Sequence, residues 1–109
     1  MSAKSICEFQ DEVFKWSLNN FGNQPSWKPL LGIGEEIGEL NHAYLKREQE
    51  IRTEESYQSE IEDALGDIFI YMCDFAARED IDIESVIEKT WEKVSKRNWK
   101  KNKNLKKDE

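Results

Sequence analysis

The sequence predicts an all-α fold, a four-helix, bundle-like domain assembled as a homo-oligomer. Three observations carry this expectation. Apolar residues recur at helical spacing through four segments. Only two prolines and five glycines interrupt 109 residues. No stretch alternates apolar and polar residues as a half-buried strand does, and the connections are short enough to pair neighbouring helices.

The first helix is expected from about Ser5 to Phe21. Ile6, Phe9, Val13, Phe14, Trp16 and Leu18, with Cys7 beside them, supply its apolar face. Asn19 to Ser26, with Gly22 and Pro25 inside it, is turn chemistry, and Ser26 is positioned to cap the next helix. The second helix starts near Lys28-Pro29, where proline suits a first turn, and runs to about Glu48 or Glu50. Leu30, Leu31, Ile33, Ile37, Leu40, Ala43, Tyr44 and Leu45 are its apolar residues. Gly32, Gly34 and Gly38 each weaken a helix by about 1 kcal/mol relative to Ala, which suggests close approach of a backbone or ligand. Residues 49–56 are polar and read as a loop. The third helix spans about Glu55 to Arg78, with Ile61, Leu65, Ile68, Phe69, Met72, Cys73 and Ala76 on its buried side. Asp82 is placed to cap a fourth helix, about Ile83 to Asn98, that carries Val86, Ile87, Trp91 and Val94, and Glu84 suits its first turn.

The chain reads as one helical domain over residues 1–100 and a basic, solvated tail over 101–109. The net charge of −7 hides an asymmetry. Residues 93–109 carry eight Lys/Arg against Asp108 and Glu109, a local +6, so the first 92 residues hold −13. No apolar run approaches the roughly 20 residues that span a bilayer, and Met1-Ser2-Ala3-Lys4 lacks a signal peptide's apolar core. Cys7 and Cys73 have no zinc-like spacing and read as buried thiols of a reducing cytoplasm. No membrane or nucleic-acid partner is expected.

The chain's chemistry is concentrated in Glu35-Glu36-Ile37-Gly38-Glu39-Leu40, three carboxylates within five residues. Helix positions three and four apart share a face, so Glu39 projects beside Glu35 and Glu36. A second acidic segment lies on the next helix, with Glu60, Asp63 and Asp67 at i, i+3 and i+7. Any of these acids alone is an ordinary solvated charge. Two opposed acidic faces repel unless a cation lies between them, and the oxygen ligands point to Mg²⁺, with Mn²⁺ as a substitute. Asp67 also stands at the edge of the apolar run Ile68-Phe69-Ile70-Tyr71, where an unpaired carboxylate is expensive to bury.

E-E-I-G-E-L, then D-A-L-G-D-I-F-I-Y, in a small helical chain, resembles the MazG-like nucleoside triphosphate pyrophosphohydrolases. Their hallmark is EExxE on one helix and ExxD on the next. The resemblance covers roughly Trp16 to Trp99 and includes L-L-G-I before the first motif and T-W-E-K-V-S-K-R-N-W on the last helix. It implies a MazG-type fold and hydrolysis of an NTP or dNTP between the α and β phosphates, giving a monophosphate and pyrophosphate. It implies Mg²⁺ ligation by Glu36 and Glu39, and makes Glu35 a further ligand or the base that orients water. The family's closing aspartate falls on Asp67. Here the chain departs from the pattern, because strict spacing would need glutamate where Ala64 stands. Asp63, one turn before Asp67, can reach the same metal, and Glu60 is a lesser candidate.

Such a reaction also needs cations for the phosphates that the metal leaves uncovered. Lys46, two turns after Glu39, is one candidate; Lys93, Lys96 and Arg97 on the last helix are others, Arg97 with a bidentate head. Each is equally a solvated surface charge. Trp16, Phe21 and Trp27 are candidates to stack on a base, and Asn20 to read its edge, though packing and turn roles explain them as well. Glu39-x-x-His42 also matches half of a carboxylate-bridged di-iron site, which needs two such motifs. The chain has one histidine, so His42 reads as a helix–helix contact. A non-catalytic interaction module is the remaining alternative. Apolar residues on several helices of so small a chain point to a homodimer or homotetramer.

Overall fold

Ser5 begins the first element by a reciprocal cap. Its hydroxyl accepts from the Glu8 amide at 3.0 Å, and the Glu8 carboxylate accepts from the Ser5 amide at 2.9 Å. Hydrogen bonding to the Ser5 amide first, and to the Ser5 side chain, holds the Glu8 carboxyl below its ordinary range. The computed structural model describes residues 4–49, 54–98 and 100. They form four helices, α1 (Ile6–Phe21), α2 (Trp27–Glu48), α3 (Glu54–Arg78) and α4 (Ile83–Ser95), and no strand lies among them. The all-α expectation holds, and the loop expected over 49–56 is shorter because α3 begins at Glu54. The basic segment 101–109 lies outside the described residues.

Gly22 closes α1 at φ +70°, a conformation that a side chain strains, and its amide reaches the Leu18 carbonyl at 2.9 Å. Ser26 does not cap α2. Its backbone is already helical, and its hydroxyl donates to Glu79 at the far end of α3 instead. Asp82 does cap α4, accepting from the amides of Glu84 and Ser85.

The 25-residue α3 is the spine. It touches all three other helices, whereas α2 touches α3 and neither α1 nor α4 among the described residues. The core sits where α1, α3 and α4 meet. Val13, Cys73, Ala76 and Ile83 are buried there, with Ile6, Phe9, Phe69 and Met72 packed around them. The Phe9 and Phe69 rings stack at 5.6 Å between centroids.

Two polar clamps tie the connectors to this core. The Gln10 amide donates to the Ile81 carbonyl at 2.7 Å and accepts from the Ile83 amide at 3.0 Å, fixing the turn from α3 into α4. Buried Asp74 accepts from the Ser17 hydroxyl and from Arg78 Nε, both at 2.8 Å. Arg78 also donates to the carbonyls of Gln24 and Gly22 and lies over the Phe14 ring. The turn between α1 and α2 is thereby held against the end of α3.

Helical spacing misassigns several side chains. Cys7 is exposed, unlike buried Cys73. The charge of Asp82 is the main influence pushing the Cys7 thiol up, and burial pushes up that of Cys73. Leu65, expected inside, is 55% exposed. Leu30, Ile37, Tyr44 and Leu45 are also exposed, on the side of α2 away from α3, and so are Val86, Ile87 and Trp91 on α4. Periodicity identifies these faces as apolar, yet among the described residues they stay exposed.

Candidate active site

The residues of α2 that face α3 recur at Gly32, Glu36, Glu39 and Ala43, a helical stripe. Gly32 meets Tyr71. A Cβ there would lie 2.5 Å from the Tyr71 ring, so this glycine permits the close approach of the two helices. Among the described residues nothing meets a Cβ at Gly34, Gly38 or Gly66 within 4 Å; close approach thus occurs at Gly32, and against a side chain rather than a backbone. One turn beyond Gly32, Glu36 feels the charge of Asp67. The antiparallel register then brings Glu39 level with Ala64.

The result is an open cleft of about 690 Å³ between α2 and α3. Its lining is Glu35, Glu36, Gly38, Glu39 and His42 from α2, with Glu60, Asp63, Ala64 and Asp67 from α3. Buried Ala64 forms part of the wall, with Asp63 exposed beside it and Asp67 exposed one turn on. The break in the acidic pattern at Ala64 therefore leaves carboxylates available on α3. Asp67 is not buried, so its significance comes from its company rather than from a desolvation penalty.

Among the described residues, no Lys or Arg lines this cleft. Burial pushes the Glu36 carboxyl up, and a hydrogen bond with Glu39 and the charges of Glu39, Asp67 and Glu35 push it further. The Tyr71 phenol is pushed up by its burial and by the charges of Glu36, Glu35, Asp67 and Glu39. Tyr71 thus stays protonated at neutral pH. It forms a neutral wall beside the acidic cluster, a role that only the tertiary contact with Gly32 reveals.

Six carboxylates are a donor set suited to a hard divalent cation. Among the described residues, however, no three His, Cys, Asp or Glu side chains close around a common point as they stand. Holding an ion there requires their rotamers to converge.

The structure separates the remaining candidates from the cleft. Lys46 is half-buried on α2, one turn past His42 and outside the lining. Lys93 lies in the last turn of α4, Lys96 pairs with Glu92, and Arg97 comes just after α4. Because α4 does not touch α2, none of these lines the cleft of its own chain. Trp16 makes an edge-to-face contact with Phe21, and the Asn20 side chain donates to the Trp16 carbonyl. Both belong to α1 and lie away from the cleft lining. Conversely, His42, expected as a helix–helix contact, is exposed in the cleft. Its position one turn after Glu39 was the available signal.

The MazG nucleotide pyrophosphohydrolase domain matches residues 26–101, from the start of α2 past the end of α4. The chain belongs to that family. Its members generally use a divalent metal such as Mg²⁺. No curated protein and no solved structure matches the chain. No helix among the described residues is long and apolar enough to cross a membrane.

Proposed function

We propose that this protein is an Mg²⁺-dependent pyrophosphohydrolase that cleaves NTPs or dNTPs between the α and β phosphates, acting in the cytoplasm. The observation that carries this reading is a cleft with six carboxylates and, among the described residues, no Lys or Arg in its lining. A triphosphate carries the same sign of charge as that cleft, so the two are compatible only with cations between them. In this reading Glu36, Glu39, Asp63 and Asp67 hold Mg²⁺, and Glu60 stands at the edge of the set. The metal, when bound, neutralises phosphate charge and stabilises charge that develops during displacement. Glu35 orients a water and takes its proton as the water oxygen attacks the α phosphorus. The bond from that phosphorus to the bridging oxygen breaks, and its electron pair leaves with pyrophosphate.

A second copy of the chain completes this site. The outward face of α2, with Leu30, Ile37, Tyr44 and Leu45, is an apolar surface long enough for a helix–helix interface, and among the described residues α2 packs on α3 and on no other helix. A homodimer or homotetramer covers that face. It also lets the neighbour supply Lys93, Lys96 and Arg97 to the phosphates and Trp16 and Asn20 to the base, while Lys46 extends to the phosphates from the same chain. Ile37→Glu is expected to reduce the sedimenting mass to that of a monomer while the helical circular dichroism is retained.

The reading is tested by incubating the protein with a panel of NTPs and dNTPs, with Mg²⁺ and with EDTA. The expected result is pyrophosphate and monophosphate in equal amounts, abolished by EDTA. Release of inorganic phosphate alone, or no turnover with either Mg²⁺ or Mn²⁺, contradicts it.

A further inference from the structure

Among the nine described residues that line the acidic cleft, His42 is chemically alone. Glu35, Glu36, Glu39, Glu60, Asp63 and Asp67 accept hydrogen bonds when ionised, and Gly38 and Ala64 offer no polar side chain. The imidazole always carries at least one N–H, so among the described residues it is the one lining side chain that donates in every protonation state. It is exposed, and no hydrogen bond or ion pair among the described residues engages it.

Position along α2 gives this donor a direction. Glu35, Glu36, Glu39 and His42 succeed one another along the cleft wall, and seven residues of helix span about 10 Å. That is about the reach of an extended triphosphate with its attacking water. If Glu35 handles the water at one end, the group that departs from the opposite side of the α phosphorus extends toward His42.

We propose that His42 is a substrate-binding residue whose ring N–H donates to a non-bridging oxygen of the β or γ phosphate, the part released as pyrophosphate. The inference rests on the hydrolase reading above and adds a contact that EExxE and ExxD do not contain. A carboxylate cleft repels pyrophosphate, and His42 supplies an attraction from within the cleft lining, one turn before Lys46.

The test compares wild type with His42→Ala and His42→Gln, whose amide can replace the lost donor. One hydrogen bond to a charged oxygen corresponds to about a tenfold effect. His42→Ala should raise the KM for nucleotide and the inhibition constant for pyrophosphate by about tenfold. Inhibition by the monophosphate and the Mg²⁺ concentration for half-activation should stay unchanged, and His42→Gln should recover most of the loss. Unchanged pyrophosphate inhibition overturns the proposal, as does an altered Mg²⁺ requirement with unchanged pyrophosphate inhibition, which would make His42 a metal ligand. If wild type turns over no nucleotide, the hydrolase reading fails by itself. Calorimetric titration with pyrophosphate and Mg²⁺ then decides His42 independently: binding weakened in His42→Ala upholds the contact, and equal or absent binding in both proteins overturns it.

Discussion

Asp74 and Glu36 both sit on packed helix faces, and the chain treats them in opposite ways. Asp74 is buried with a complete set of partners, the Ser17 hydroxyl and the Arg78 guanidinium, which in turn holds two carbonyls of the α1–α2 turn. The Glu36 carboxyl is pushed up by burial and by the acids around it, Glu39, Asp67 and Glu35. The first arrangement makes stability from charge. The second stores repulsion in the apo protein, and repulsion of that kind is useful where a cation and a phosphate chain are to be bound.

The largest effect that should separate the two regions is on folding. Removing one member of a buried ion pair leaves the other uncompensated and costs about 3–5 kcal/mol. Arg78→Ala should therefore lower the denaturant midpoint strongly, while the variant that remains folded keeps its KM for nucleotide. A large rise in KM at full folding would mean that the clamp also shapes the cleft.

Gly32→Ala comes next. The added methyl runs into the Tyr71 ring, and overpacking of this kind costs about 1–3 kcal/mol. Chemical denaturation should show the loss, and pairing the change with Tyr71→Ala should remove the clash. A neutral Gly32→Ala would show that the α2–α3 approach is looser than the contact implies.

The smallest effect has the opposite sign. Because the Glu36 carboxyl is held above its ordinary range, the folded chain binds that proton more tightly than the unfolded chain does. Its contribution to stability is fully present below the unfolded carboxylate value of about 4.5 and is lost as pH rises through the raised folded value. At neutral pH without metal, Glu36→Gln should raise Tm by about 2–4 °C, an amount reduced by solvent screening at an open cleft. Mg²⁺ should raise the Tm of wild type by mass action and that of the variant less. Thermal unfolding with and without Mg²⁺ checks both.

These regions differed in how readily the sequence disclosed them. The acidic cleft was legible because each of its walls is local, Glu35, Glu36 and Glu39 on one helix and Glu60, Asp63 and Asp67 on the next. The four helices were legible for the same reason, with boundaries within a few residues. The Ser17–Asp74–Arg78 clamp was not, because its partners are 57 and 61 residues apart across two helices. The close approach at Gly32 was legible from a glycine inside a helix, but its partner, the Tyr71 ring on the next helix, was not. Leu65, Ile37 and Trp91 show a different limit. Spacing identifies an apolar face, but it does not say whether this chain or another covers it.

The central claim is that the α2–α3 cleft performs the chemistry. Its most direct test is pyrophosphate release by wild type and Glu39→Gln, assayed together with circular dichroism. Glu39→Gln is expected to lose at least about 100-fold in turnover while helical content and Tm are kept or raised. A folded Glu39→Gln with wild-type turnover would contradict it, and would move the chemistry away from this cleft.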